Sequence, residues 1–130
     1  MPITLLGRES QQDMEVAVSG PGTANRLFIY SGIAIFNFKG TGGTWNWDYI
    51  EFELGRVFAL GQVKDIVAMA HLNSIKNEST AVNAGWAVDK VRAWWDSVEQ
   101  RIKLRADLAV RDIDGYIQRM GWTVHVLARI

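Results

Sequence analysis

The side chains with the most chemical potential are gathered between Gly43 and Gly55, in the run GTWNWDYIEFELG. Read as a β-strand, in which alternate residues share a face, the run puts Ile50, Phe52 and Leu54 on one side. Trp45, Trp47, Tyr49, Glu51 and Glu53 then lie together on the other. The apolar set belongs in a core. Carboxylates two positions apart are rarely buried together, so the second face looks at solvent or at a partner. Three aromatic rings beside two carboxylates suit a sugar-like ligand. The ring faces offer apolar contact, and the carboxylates accept hydrogen bonds from hydroxyls. The competing arrangement is that another element of the same chain covers Trp45 and Trp47, because a bare aromatic strand is a liability.

Within this run, Tyr49-Ile50-Glu51-Phe52-Glu53 resembles the catalytic strand of the jelly-roll glucanase and xyloglucan-modifying family. There a nucleophile Glu, an assisting Asp and an acid/base Glu alternate on one face. The resemblance implies a small glycoside hydrolase, with Glu53 as acid/base and Glu51 as the assisting acid. It covers these five residues, and Tyr49 stands where the nucleophile belongs. Retaining hydrolysis needs two carboxyl groups ~5–5.5 Å apart across the scissile bond. Same-face neighbours on one strand lie about 6.5–7 Å apart along it. Gly43-Thr44-Trp45 is in turn similar to the Gly-x-Trp start of lipocalin- and streptavidin-like barrels, although here it opens the third expected strand rather than the first.

The remaining chemistry-bearing residues are scattered. His71 and His125 are the only histidines and are too far apart to form a local ligand motif, so no metal site is expected. Asp112-x-Asp114-Gly115 has the opening of a calcium loop but lacks the later bidentate Glu, and a hairpin turn accounts for the same residues. Ser19-Gly20-Pro21-Gly22-Thr23 has neither the Lys nor the following helix of a phosphate loop. Asn77-Glu78-Ser79 has the form of a glycosylation acceptor, which chance explains better. Arg101, Lys103, Arg105, Arg119, His125 and Arg129 would form one basic patch if the strands that carry them pair. No aromatics of the same parity interleave with them, so nucleic-acid stacking is not expected.

Composition narrows the function classes. The 130 residues suit one domain spanning 1–130, and 48% hydrophobic with 22% charged residues suits a folded globular chain. The 14 basic and 14 acidic side chains cancel, which argues against broad capture of nucleic acid or of an anionic membrane. Without cysteine there is no disulfide, thiolate metal site or cysteine nucleophile. The beginning of the chain shows no signal-peptide pattern, and Leu27 to Phe38 is too short and interrupted to span a bilayer. A cytoplasmic, non-membrane protein without cofactor is therefore expected.

The elements that must position the aromatic strand read as β. Met14–Val18 alternates as a short strand. Arg26–Lys39 is apolar at both parities, as in a strand covered on both faces. The Gly40–Gly43 stretch then reads as a hairpin loop leading into Thr44–Leu54, and Val57–Leu60 and Val63–Leu72 read as further strands, with Gly55 and Gly61 at bends. Strict alternation places Ile102, Leu104, Ala106, Leu108 and Val110 inward, and likewise Met120, Trp122, Val124, Val126 and Ala128. A three-residue Ile113-Asp114-Gly115 loop with Gly115 left-handed would pair these two strands as a hairpin, Leu108 facing Met120 and Ala106 facing Trp122. Residues 81–100 fit either an amphipathic helix or a strand from Trp86 to Trp94 followed by a turn, the β-rich surroundings favouring the strand.

The expected fold is thus mainly β, a two-sheet antiparallel sandwich that allows a jelly-roll-like course, with at most one helix, within 81–100. The expected function is non-catalytic binding or self-assembly. The ligand or interface residues are Trp45, Trp47, Tyr49, Glu51 and Glu53, and the expected partners are a carbohydrate and further copies of the chain. The alternatives are a small hydrolase using Glu51 and Glu53 and a structural subunit of a larger assembly.

Overall fold

Period-two alternation runs through nearly the whole chain, and the structure, a computed structural model, turns it into seven strands among the residues it describes (2–18, 25–78 and 84–130). They are β1 (Gly7–Val18), β2 (Asn25–Lys39), β3 (Asn46–Leu54), β4 (Val63–Asn77), β5 (Gly85–Trp95), β6 (Ile102–Arg111) and β7 (Gly115–Arg129). Two antiparallel sheets result. Sheet A has the order β1-β2-β7-β4 and sheet B the order β3-β6-β5. Their inner faces supply the core: Phe28, Ala34 and Phe36 from β2, Ile50, Phe52 and Leu54 from β3, Leu104 and Leu108 from β6, Trp122, Val124 and Val126 from β7. No polar or charged residue among the described ones is buried. The fold is a β-sandwich.

The strand reading of residues 81–100 holds. Among the described residues of that segment, 85–95 form β5 and no helix is present. β5 turns back into β6 through Asp96, whose carboxylate Oδ2 accepts from the Glu99 N–H (2.8 Å) and whose carbonyl accepts from the Gln100 N–H (2.7 Å). Short polar side chains that bond the backbone a few residues on stabilise turns over helix. Residues 81–83 and the Ser19–Thr23 loop lie outside the described residues, as does Ser79.

Two expected hairpins are not hairpins. β6 and β7 belong to different sheets, and so do β2 and β3. All the predicted inward residues are inward, but Leu108 is paired with Asp48 and Val88, and Met120 with Ala34 and Leu72. Alternation specifies which side a residue faces, and two strands that face each other across a core alternate just like two that pair. The loops are therefore corners. β2 pairs with β7 from Asn25↔Arg129 to Lys39↔Tyr116, and β3 pairs with β6 from Asn46↔Val110 to Leu54↔Ile102. A single two-stranded ribbon thus runs from sheet A into sheet B. At the bend the Gly40 N–H donates to the Gly115 carbonyl (3.0 Å) and the Asp112 N–H to the Gly42 carbonyl (2.8 Å), so the ladder survives the corner. This folded ribbon gives the sandwich a jelly-roll-like course.

The corner explains its own residues. A Cβ on Gly40 would collide with the Asp112 carbonyl oxygen. Asp112, not Gly115, takes the positive φ (93°), and its Oδ1 lies 3.3 Å from the Asp114 N–H that donates to it. The calcium-like pattern is spent on this turn. Elsewhere β1 begins seven residues earlier than expected, at Gly7. Val57–Leu60 is not a strand but a loop pinned by the buried Phe58, whose N–H donates to the Gln100 carbonyl and whose carbonyl accepts from Trp95 Nε1 (both 2.8 Å). Gly55 and Gly61 do mark bends, with φ of 75° and 84°. β2 is expected from its apolar pattern to be covered on both faces. Its outer positions Leu27, Ile29, Ile33 and Ile35 are only half-buried, because no described element lies over that side of sheet A.

Candidate functional site

Parity within β3 puts Ile50, Phe52 and Leu54 into the core and turns Trp45, Trp47, Tyr49, Glu51 and Glu53 outward, as the sequence pattern requires. Trp45 and Trp47 are 41% and 52% exposed, so no other element of the described chain covers them. Their ring centroids are 6.5 Å apart at an interplanar angle of 39°.

The neighbours on this face come from pairing that sequence alone did not reveal. β6 lies beside β3 and β5 beyond it. The outward rows across the three strands read Trp47–Ala109–Ala87, then Tyr49–Asp107–Asp89, then Glu51–Arg105–Arg92, then Glu53–Lys103–Trp94. At the aromatic end the strands carry small residues. A Cβ on Gly85 would come within 2.6 Å of the far end of the Trp45 ring, which therefore reaches across β6 to β5. Ala109 faces outward yet is fully buried between its ladder partners Trp47 and Ala87. Gly85, Ala87 and Ala109 thus make a low floor on which the indoles lie.

Cations hold the aromatics from the other side. The Arg105 guanidinium carbon stacks 3.7 Å from the Tyr49 ring centroid, and that of Arg111 lies 5.1 Å from Trp45. Such contacts are attractive through the ring quadrupole and hold the ring in place. Arg105 Nε is 3.5 Å from Asp107 Oδ1, in a geometry that leaves both buried atoms without a hydrogen bond. Trp47, Asp48, Tyr49, Lys90, Arg105 and Asp107 enclose a shallow cleft of about 330 Å³. Lys90 enters it through an irregularity in β5: the register slips between Asp89 and Arg92, and Lys90 sits at φ 48°. Bulges re-aim side chains in this way.

Glu51 and Glu53 stand next to the cleft, not in it. Each is the ladder partner of a cation, Glu51 of Arg105 and Glu53 of Lys103, and Glu53 also lies 3.6 Å from Arg101 Nη1. The alternation of 101–111 already turned Arg105 and Asp107 outward. What it could not supply was that β6 lies beside β3, and the bulge that delivers Lys90 left no readable pattern.

The single basic patch expected from a β6–β7 hairpin does not exist. Arg101, Lys103 and Arg105 lie on sheet B, Arg119, His125 and Arg129 on sheet A. Several are matched by acids: Arg101 by Glu53, Lys103 by Asp96 (3.9 Å), Arg119 by Glu9 (2.9 Å). His125 and Lys103 lie on opposite sides of the molecule. His71 lies on the outer face of sheet A, its ring against the backbone of Gly121. Among the described residues no group of three or more His, Asp or Glu could hold a metal ion, and no helix is long and apolar enough to cross a membrane.

Comparisons with protein-family models, with curated proteins and with solved structures find no match to this chain.

Proposed function

We propose that the protein is a non-catalytic binding module whose aromatic face on sheet B takes a carbohydrate. The observation that carries this reading is the half-exposed Trp47 beside a cleft already lined with fixed hydrogen-bonding groups. A half-exposed indole beside small residues offers the apolar surface on which a sugar ring stacks. Asp48 and Asp107 accept from hydroxyls, and Lys90 and Arg105 donate to ring and hydroxyl oxygens. Two acids and two bases line the cleft, so its formal charges cancel, which favours a neutral saccharide over a uronate.

The hydrolase alternative draws less support. Glu51 and Glu53 each pair across the ladder with a cation, and neither faces a second carboxylate across a gap. Glycoside hydrolysis needs two carboxyl groups flanking the scissile bond. The test is titration of purified protein with neutral oligosaccharides, beside Trp47→Ala. Binding that weakens about tenfold or more in the variant, with the same melting temperature, is the expected result. Turnover of a β-glucan that disappears in Glu53→Gln, with the fold intact, would replace binding by hydrolysis.

A further inference from the structure

The two outer faces of the sandwich differ in kind. Below its aromatic end, sheet B turns charges to solvent in every row, as the Glu51–Arg105–Arg92 row illustrates. The central rows of sheet A carry none. Leu27 and Ile29 on β2 and Leu127, His125 and Thr123 on β7 occupy its middle, flanked by Val67 and Met69 on the edge strand β4. Val67 and Met69 are 54% and 55% exposed. Charges appear toward the border, where Glu9 and Arg119 neutralise each other at 2.9 Å, Asp65 and Arg129 add one of each sign, and the Lys39–Tyr116–Lys76 row adds two lysines, Lys76 paired with Glu78 at 2.7 Å. β2 is apolar at both parities, a pattern that belongs to strands covered on both faces.

We propose that this face is the interface between two copies of the chain in solution, packed sheet against sheet. The middle of the surface bears no charge that a copy would repel, so it is compatible with itself. A symmetric pairing lets one such patch cover its equal, and sheets pack face to face about 10 Å apart. Four strands ~4.8 Å apart and five outward positions ~6.8 Å apart, Leu27 to Ile35, outline ~500 Å² in projection. With side-chain relief added, this approaches the ~800 Å² per partner of a standard interface. Self-association, expected from sequence on the aromatic strand, is thereby assigned to the opposite side. Both aromatic faces stay free and point away from each other. The proposal does not depend on what those faces bind.

The experiment is light scattering with size-exclusion chromatography on the purified chain across the micromolar range. The expected mass is twice the 14.6 kDa of one chain. Val67→Glu and, independently, Met69→Lys place a charge within the interface on residues a monomer leaves exposed. Each should weaken association about 100-fold or more while keeping the β circular-dichroism spectrum. Trp47→Ala should leave the doubled mass unchanged. A single-chain mass for the unmodified protein overturns the proposal. So does a doubled mass that resists both charged variants, or one that Trp47→Ala abolishes.

Discussion

Trp47 and Gly85 are the residues on which the binding reading can be probed one atom group at a time. Trp47 is half exposed and stands over Ala109, so its loss removes stacking surface and little core. The corresponding expectation is lost saccharide affinity without a lower melting temperature. Gly85 acts through Trp45. Gly85→Ala puts a methyl group where the end of the Trp45 ring lies, and the ring, being half exposed, can swing away at small energetic cost. The fold should survive within about 0.5–1 kcal/mol. The tryptophan emission should shift to the red as Trp45 lifts toward solvent, and affinity should fall. An unchanged spectrum with unchanged affinity would mean that Trp45 takes no part in the site. At this scale the sequence was legible where parity decides: all five of Trp45, Trp47, Tyr49, Glu51 and Glu53 are on the outer face. It was silent on Lys90, because a bulge is a departure from the pattern by which strands are read.

Elements were legible as strands but not as pairs. The inward sets of β6 and β7 were identified to the residue, yet the two strands cross the core instead of sharing hydrogen bonds, because a corner and a hairpin loop have the same alternation on either side. What distinguishes them is the room at Gly40, which lies seventy residues away from Asp112 in the chain and cannot be read from either segment alone. The corner therefore makes its own prediction. Gly40→Ala drives a Cβ into the Asp112 carbonyl, a backbone atom that cannot move without opening the ribbon. It should cost about 2 kcal/mol or more in urea unfolding, whereas Gly43→Ala, which meets nothing within 4 Å, should be near neutral. Equal effects at the two glycines would contradict a packed corner. In the core, Leu108 is fully buried on the central strand of sheet B, and Leu108→Ala should cost ~2–5 kcal/mol.

For the whole molecule, the sandwich presents one charged, aromatic face and one face with an aliphatic middle, on opposite sides of a common core. The mainly β class and the two-sheet arrangement followed from alternation. The division of labour between the faces did not, because it depends on which strands share a sheet. Sheet A gathers the outward aliphatic residues of β2, β4 and β7, while sheet B gathers the outward charges of β3, β5 and β6 around the indoles. A pair joined through sheet A would carry one aromatic face on each of its two outer sides. Sugar recognition by the face that bears Trp47 is decided by a glycan array probed with the unmodified protein and with Trp47→Ala. Retention on neutral oligosaccharides by the unmodified protein, lost in the variant, is the predicted result. An array on which the two proteins behave alike, or on which neither is retained, would contradict it.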